Sequence, residues 1–141
     1  MISKSFANSI NAAVFGGVNL AIDMWYFGFS TQPISEDGVI PDGAEPQMTG
    51  YSRYPIQNDS DNFNTPVYIP QSPISSVTNA KDIAFSIITG PETSVTHWFL
   101  SKEQSGNIAE VWGEFKNPIS LSSGIRVTIP AGNLNLTINN G

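Results

Sequence analysis

The last third of this chain constrains its fold more than any other stretch. From Ser94 onward, short apolar runs alternate with turn residues almost to the end: Ser94-Val95-Thr96-His97-Trp98-Phe99-Leu100, Ser105-Gly106-Asn107, Glu110-Val111-Trp112-Gly113-Glu114-Phe115, Ile125-Arg126-Val127-Thr128-Ile129, Pro130-Ala131-Gly132-Asn133 and Leu134-Asn135-Leu136-Thr137-Ile138. β-branched and aromatic residues punctuated by Gly, Pro and Asn favour short antiparallel strands. The pattern predicts strands at about 94–101, 108–116, 119–121, 125–130 and 133–139. Turns are expected at 104–107, 122–124 and 131–132. With the strands expected upstream, the count reaches seven or eight. That number, at this spacing, predicts an all-β chain: an antiparallel β-sandwich, jelly-roll-like or barrel-like, in one domain over residues 1–141.

Upstream the signals change. Phe6, Ile10 and Val14 recur every four residues, with Ala13 beside them. This stripe predicts a short N-terminal amphipathic helix over 3–15, within 1–16. Ser3 or Ser5 suits its start, and Gly16-Gly17 its stop. A helix this short needs something to dock on, either its own domain or a neighbour. Residues 18–30 read as a strand, apolar on both faces and hence central. Residues 31–50 hold Pro33, Gly38, Pro41, Gly43, Pro46 and Gly50 and read as a long surface loop. A short strand is expected at 51–56, ending near Pro55. Residues 57–79 read as a second long polar stretch with a brief strand at 67–69. Residues 80–88 read as a strand, with Ile83, Phe85 and Ile87 on one face.

Charge narrows the partners. Net charge is −6, and the six basic residues (Lys4, Arg53, Lys81, Lys102, Lys116, Arg126) stand singly. Binding a nucleic-acid backbone needs clustered Lys and Arg, so no nucleic acid is expected. No membrane is expected either. The most apolar stretch, Ala12 to Phe29, is broken by Gly16-Gly17, Asn19 and Asp23. Interruptions at Ser5, Asn8, Ser9 and Asn11 also argue against a secretory signal. The chain has no cysteine, which rules out disulfides and thiolate metal sites. Charged residues make up only 13% of the chain, about half the usual share, and small polar residues take their place. Such a surface suits contact with other proteins.

Candidate chemistry is sparse. His97 is the only histidine and reads as a structural strand residue beside Trp98. The run Asn58-Asp59-Ser60-Asp61-Asn62 has alternating oxygen ligands, but Phe63 takes the next ligand place and neither Gly nor Glu completes a calcium loop. Glu36, Asp37, Asp42 and Glu45 are acids of a solvated loop. Trp25, Trp98 and Trp112 offer a sugar-stacking platform, but aromatics on strands more often build a core. No catalytic, cofactor or metal residue is assigned, and the expectation is that the chain is not an enzyme.

In order, the segments resemble a family of small bacteriophage virion proteins, often labelled tail-fibre or minor structural proteins. The resemblance begins with the Asn/Ala helix and the strand Leu20-Ala21-Ile22-Asp23-Met24-Trp25-Tyr26. It continues through Gly50-Tyr51-Ser52-Arg53 and Asn79-Ala80-Lys81-Asp82-Ile83-Ala84-Phe85. Val95-Thr96-His97-Trp98, the Ser105-Gly106-Asn107 turn and Trp112-Gly113-Glu114-Phe115 follow, then the strand from Gly124 to Ile129 and the segment from Pro130 to Ile138. It spans nearly the whole chain, and the loops at 31–50 and 57–79 depart from it. The resemblance implies a non-enzymatic virion component, present in multiple copies and assembled in the host cytoplasm. Its partners would be other virion proteins and further copies of itself. The tail, fibre or baseplate region is favoured, with capsid decoration next. A carbohydrate-binding adhesin that contacts host glycans is the rival reading.

Contacts to partners are expected on the two long loops and the helix. The interface residues would be Phe6, Ile10 and Val14 on the helix, Ile34, Val39 and Ile40 on the first loop, and Val67, Tyr68 and Ile69 on the second. Ordering such loops costs roughly 1–2 kcal/mol per residue, a cost that burial against a neighbour would offset. Phe85, Trp98, Trp112, Val127 and Leu136 are expected inside the domain's own core.

Overall fold

The computed structural model describes residues 1–70 and 74–139, with backbone alone at Ile69, Ile74, Ile138 and Asn139. It is mostly β with one N-terminal helix, and its antiparallel sheets pack together. Helix α1 spans Lys4–Gly16. Among the described residues nine strands follow: β1 Met24–Ser30, β2 Tyr54–Gln57, β3 Val67–Ile69, β4 Ile74–Thr78, β5 Ile83–Ala84, β6 Thr93–Ser101, β7 Val111–Leu121, β8 Thr128–Ile129 and β9 Asn135–Asn139.

The largest sheet has the order β2-β1-β6-β7. As expected, β1 lies inside it. Register sets its two faces. Phe27 faces Leu100 and Phe29 faces Trp98, so Trp25, Phe27 and Phe29 share one face with Leu100 and Trp98. This face carries the main core. Phe85 lies 4.9 Å from Phe29 and 6.0 Å from Phe27, ring centre to ring centre, and Phe115 closes on Phe29 at 5.9 Å. Ile83, Ile88, Leu134 and the half-buried Ile125, Val127, Ile129 and Leu136 bring the pairs β5-β8 and β4-β9 against the same face. Helix α1 docks there through Phe6, whose ring meets Trp25 edge-on at 5.8 Å. Ser3 caps the helix by accepting from the Phe6 N–H at 3.1 Å. Gly17 ends it in the left-handed conformation, φ 67°, which glycine adopts without strain.

The opposite face of the large sheet carries Phe99 and Trp112, paired across β6 and β7. Ile34, Ile40 and Ala44 cover them. Residues 31–50, expected as a long surface loop, form no named strand, but their apolar residues turn inward. The segment is pinned along its length by backbone bonds from Thr31 to Ala44, Ile40 to Asn107, Ala109 to Gly38, and reciprocally between Thr49 and Thr89. It is a cover of irregular backbone whose apolar residues fill the chain's own second core.

Other expectations shift for local reasons. β1 begins at Met24, not residue 18, because pairing with β2 starts at Gln57. β7 runs unbroken through Pro118. The two-residue step from Val95 to His97 faces the five-residue step from Glu114 to Ile119. This bulge accommodates a residue that cannot donate to the ladder. β4 went unforeseen: its Ile-Ser-Ser-Val-Thr sequence has few apolar residues, and it forms by pairing with β3 and β9.

Buried Asn79 joins the ends of this second layer. Its amide donates to the carbonyls of Lys81 and Pro130, and its side-chain oxygen accepts from Leu134 N–H at 2.9 Å. Asn79→Ala would leave the buried Leu134 N–H unmatched and free the carbonyls of Lys81 and Pro130. It is expected to cost about 1–3 kcal/mol in urea unfolding.

Candidate docking surface

The sequence-predicted interface residues divide into three groups. Phe6, Ile34 and Ile40 are buried in the chain's own cores, and Ile10 is half-buried against the main one. The chain itself encloses the side chains of Phe6, Ile34 and Ile40. Val14, Val39, Val67 and Tyr68 are exposed. Ile69 has its backbone in β3, and its side chain lies outside the described residues. Val67 and Tyr68 lie on β3, an edge strand of the β3-β4-β9 sheet. Val39 bridges Ile108, which is also partly exposed.

The chain after Val14 also faces solvent. Residues 14–21 are eight consecutive exposed positions, Val14-Phe15-Gly16-Gly17-Val18-Asn19-Leu20-Ala21. Phe15 is 86% exposed, the most exposed large hydrophobic residue among the described ones. Phe15, Val18 and Leu20 were not on the expected interface. The signal that could have found them is the absence of any charged side chain from Ser5 to Ile22.

The candidate chemical groups are used structurally. His97 is buried in β6, its Nδ1 2.7 Å from Thr96 Oγ1. The Asp59 carboxylate accepts from the backbone of Asp61 and Asn62 and from the Asn62 amide, fixing the 58–62 turn. Trp25 and Trp112 are buried, and half-buried Trp98 stacks on Phe27 at 6.2 Å.

One cluster explains the Gly-Tyr-Ser-Arg segment. Gly50 sits at φ 88°, and a Cβ there would collide with the Ile87 carbonyl oxygen. Tyr51 lies just before β2, beside the part of β1 that no longer pairs with β2. Its hydroxyl accepts from Phe29 N–H at 3.0 Å and donates to Glu45 Oε2 at 3.0 Å. Arg53 is buried and places its guanidinium 4.9 Å from the Phe99 ring centre. It donates to both Glu45 carboxylate oxygens, to the Glu103 carbonyl at 2.9 Å and to the Gly106 carbonyl. The acid of the cover, the base before β2 and the turn after β6 thus lock together. Glu45, read from sequence as a solvated loop acid, is part of this lock. Its pairing also satisfies a guanidinium that would otherwise be buried alone.

Burial, then the facing Glu45 carboxylate, push the Tyr51 hydroxyl above its ordinary value near 10. The folded state therefore holds this proton more tightly than the unfolded chain. Its contribution is complete below pH ~10 and is lost as pH rises beyond that. Tyr51→Phe should cost about 1–2 kcal/mol at pH 7 by leaving Phe29 N–H unmatched. It should also flatten the decline above pH ~10 relative to wild type, measured by denaturant unfolding at pH 7 to 11.

This arrangement offers exposed apolar surface on a locked scaffold. A family model described as Podophage GP4 fiber I protein gp80 matches residues 1–137. No curated protein matches the chain significantly.

Proposed function

Because the chain belongs to the family of the podophage GP4 fiber I protein gp80, a family of phage fibre proteins of the virion, we propose that it is a non-enzymatic structural component of the tail-fibre region, present in multiple copies and acting by docking to other virion proteins. The observation that carries this reading is the extent of the match, which takes in the helix, the large sheet and the second layer alike.

Several physical features support it. Aromatic residues fill one face of the large sheet, and a pinned cover closes the other, which makes a stiff body suited to repeated assembly. Low charge and exposed apolar residues at Val14, Phe15, Val18, Val67 and Tyr68 leave surface for partners. A glycan platform built from the three tryptophans is not part of this reading, since Trp25 and Trp112 are enclosed.

Mass spectrometry of purified virions tests the proposal. The expected result is this chain at a copy number well above one per particle. Its absence from washed particles, with other fibre proteins present, would remove the reading.

A further inference from the structure

We infer that the N-terminal arm, residues 1–16, is exchanged between copies of this chain: the arm of one copy seats in the socket of its neighbour, the socket that its own arm fills in the single chain. This deepens the fibre reading and rests on it, since exchange needs copies held side by side.

The socket selects its occupant through specific contacts. Residues 1–3 add a short antiparallel stretch to the start of β7. Ser3 N–H donates to the Glu110 carbonyl at 2.8 Å, Trp112 N–H donates to the Met1 carbonyl at 2.9 Å, and Ile2 bridges Val111. Ser3 Oγ donates to the Glu110 carboxylate at 3.3 Å. Lys4 reaches Asp37 of the cover at 3.2 Å, and Phe6 sets its ring edge-on against Trp25. Backbone register, a hydroxyl–carboxylate bond, an ion pair and an aromatic ring together fit residues 1–6 of this chain. Every copy carries the same arm and the same socket, so the arm of a second copy makes each of these contacts unchanged.

The arm is fastened at its start and loose at its end. Phe6 is the one buried residue of α1, and every position from Val14 to Ala21 is exposed. The N–H groups of Gly17 and Val18 turn back to the Ala12 carbonyl, inside the arm. Among the described residues, no hydrogen bond ties Asn19, Leu20 or Ala21 to the body. The body takes hold of the chain again at Ile22 and Asp23, through the Asn58 amide and N–H respectively. Residues 17–21 therefore have the form of a hinge, with open space around Gly17. Extended, five residues reach as far as ~17 Å.

Energetics favour exchange where copies are close. A helix of 13 residues is too short to hold undocked, so the arm has to be seated somewhere. Seating it in a neighbour keeps every arm contact and changes only the linker. In the single chain Val18 and Leu20 of that linker stay in water, at 59% and 36% exposure. Two linkers crossing between bodies cover one another, and neighbours fixed in an assembly supply the local concentration.

Cross-linking of the unmodified whole chain tests the inference. Light-nitrogen and heavy-nitrogen chains are mixed in equal amounts and left to equilibrate. A carbodiimide then joins the Lys4 amine to the Asp37 carboxylate as an amide, with loss of water. Mass spectrometry reads whether the two halves of that linked pair came from one chain. Pairs of mixed isotope are expected, their share rising about tenfold or more from ~1 µM to ~100 µM by mass action. Lys102 and Glu110, 3.7 Å apart and both in the body, should give like-isotope pairs at every concentration.

Like-isotope Lys4–Asp37 pairs alone, at every concentration, would overturn the inference, because the arm would then stay on its own chain. Mixed pairs at Lys102–Glu110 in the same proportion as at Lys4–Asp37 would overturn it too, since they would report non-specific clustering. Either result leaves the fibre reading standing if the chain is found in virions. Absence from virions strikes that reading and leaves arm exchange in solution to its own measurement.

Discussion

Replacing Phe29 with alanine is expected to remove about 3–5 kcal/mol of stability, the largest effect of any single side chain in this fold. Phe29 is 1% exposed and meets four aromatic rings: Phe27 at 5.5 Å, Phe85 at 4.9 Å, Phe115 at 5.9 Å and Tyr51 at 6.5 Å. These rings come from β1, β7 and two segments between strands. The cavity could close only if all of them moved together, which the hydrogen-bonded ladders on both sides of β1 oppose. For a domain with a total stability of about 5–15 kcal/mol, such a loss is a large fraction. Phe29→Leu should recover more than half of it. Phe15→Ala, on the exposed end of α1, should change monomer stability by less than about 0.5 kcal/mol. Urea unfolding of the three variants checks the ranking. If Phe29→Ala and Phe15→Ala cost the same, the aromatic cluster is not the core described.

Arg53→Ala is expected to cost about 2–4 kcal/mol and to loosen the cover locally. The guanidinium side chain is 2% exposed, and its removal strands three acceptors: the Glu45 carboxylate and the carbonyls of Glu103 and Gly106. Breaking a fully buried pair from one side costs 3–5 kcal/mol. The lower range applies here because Glu45 keeps 23% of its side chain in contact with solvent, which screens the orphaned charge. Arg53→Lys should recover only part of the loss. A point ammonium cannot fork to one carboxylate and two carbonyls while lying over Phe99. Amide exchange should rise at 42–47 and 103–107 before it rises in β1 or β6. Unchanged exchange there, with a stability loss below about 1 kcal/mol, would mean that the lock does not hold the cover.

These two residues also show what a sequence can and cannot reveal. Phe29 was legible: it lies in an apolar run with period two, and its face follows from counting. The helix was legible for a similar reason, because Phe6, Ile10 and Val14 keep a four-residue spacing and glycines close the end. β3 and β6 were also close to expectation. The role of Arg53 was not legible. Its partners lie 8, 50 and 53 positions away along the chain and belong to turns whose backbone only the fold brings together. The inward packing of the cover was not legible for the same physical reason. Ile40, Ala44 and Met48 keep a four-residue spacing, but Pro41, Gly43 and Pro46 between them break a helix, so their burial, like that of Ile34, comes from individual tertiary contacts. Prolines and acids around them gave the local appearance of solvated chain.

The docking surface was half legible. The stripe pointed to Val14, but a period-four stripe cannot say where the helix stops facing inward. Phe6 is covered by Trp25 and Ile10 is half-buried, while Val14 projects past the body. For residues 18–21 the strand propensity was real but lacked a partner, and propensity alone does not pair a strand.

The proposal that this chain is a repeated fibre component is most directly tested by a reconstruction of the virion itself. The account predicts density for several copies in the tail-fibre region, each with a four-stranded sheet flanked by the short helix and the second layer. Density for this chain confined to the capsid surface, or present once per particle away from the fibres, would contradict it.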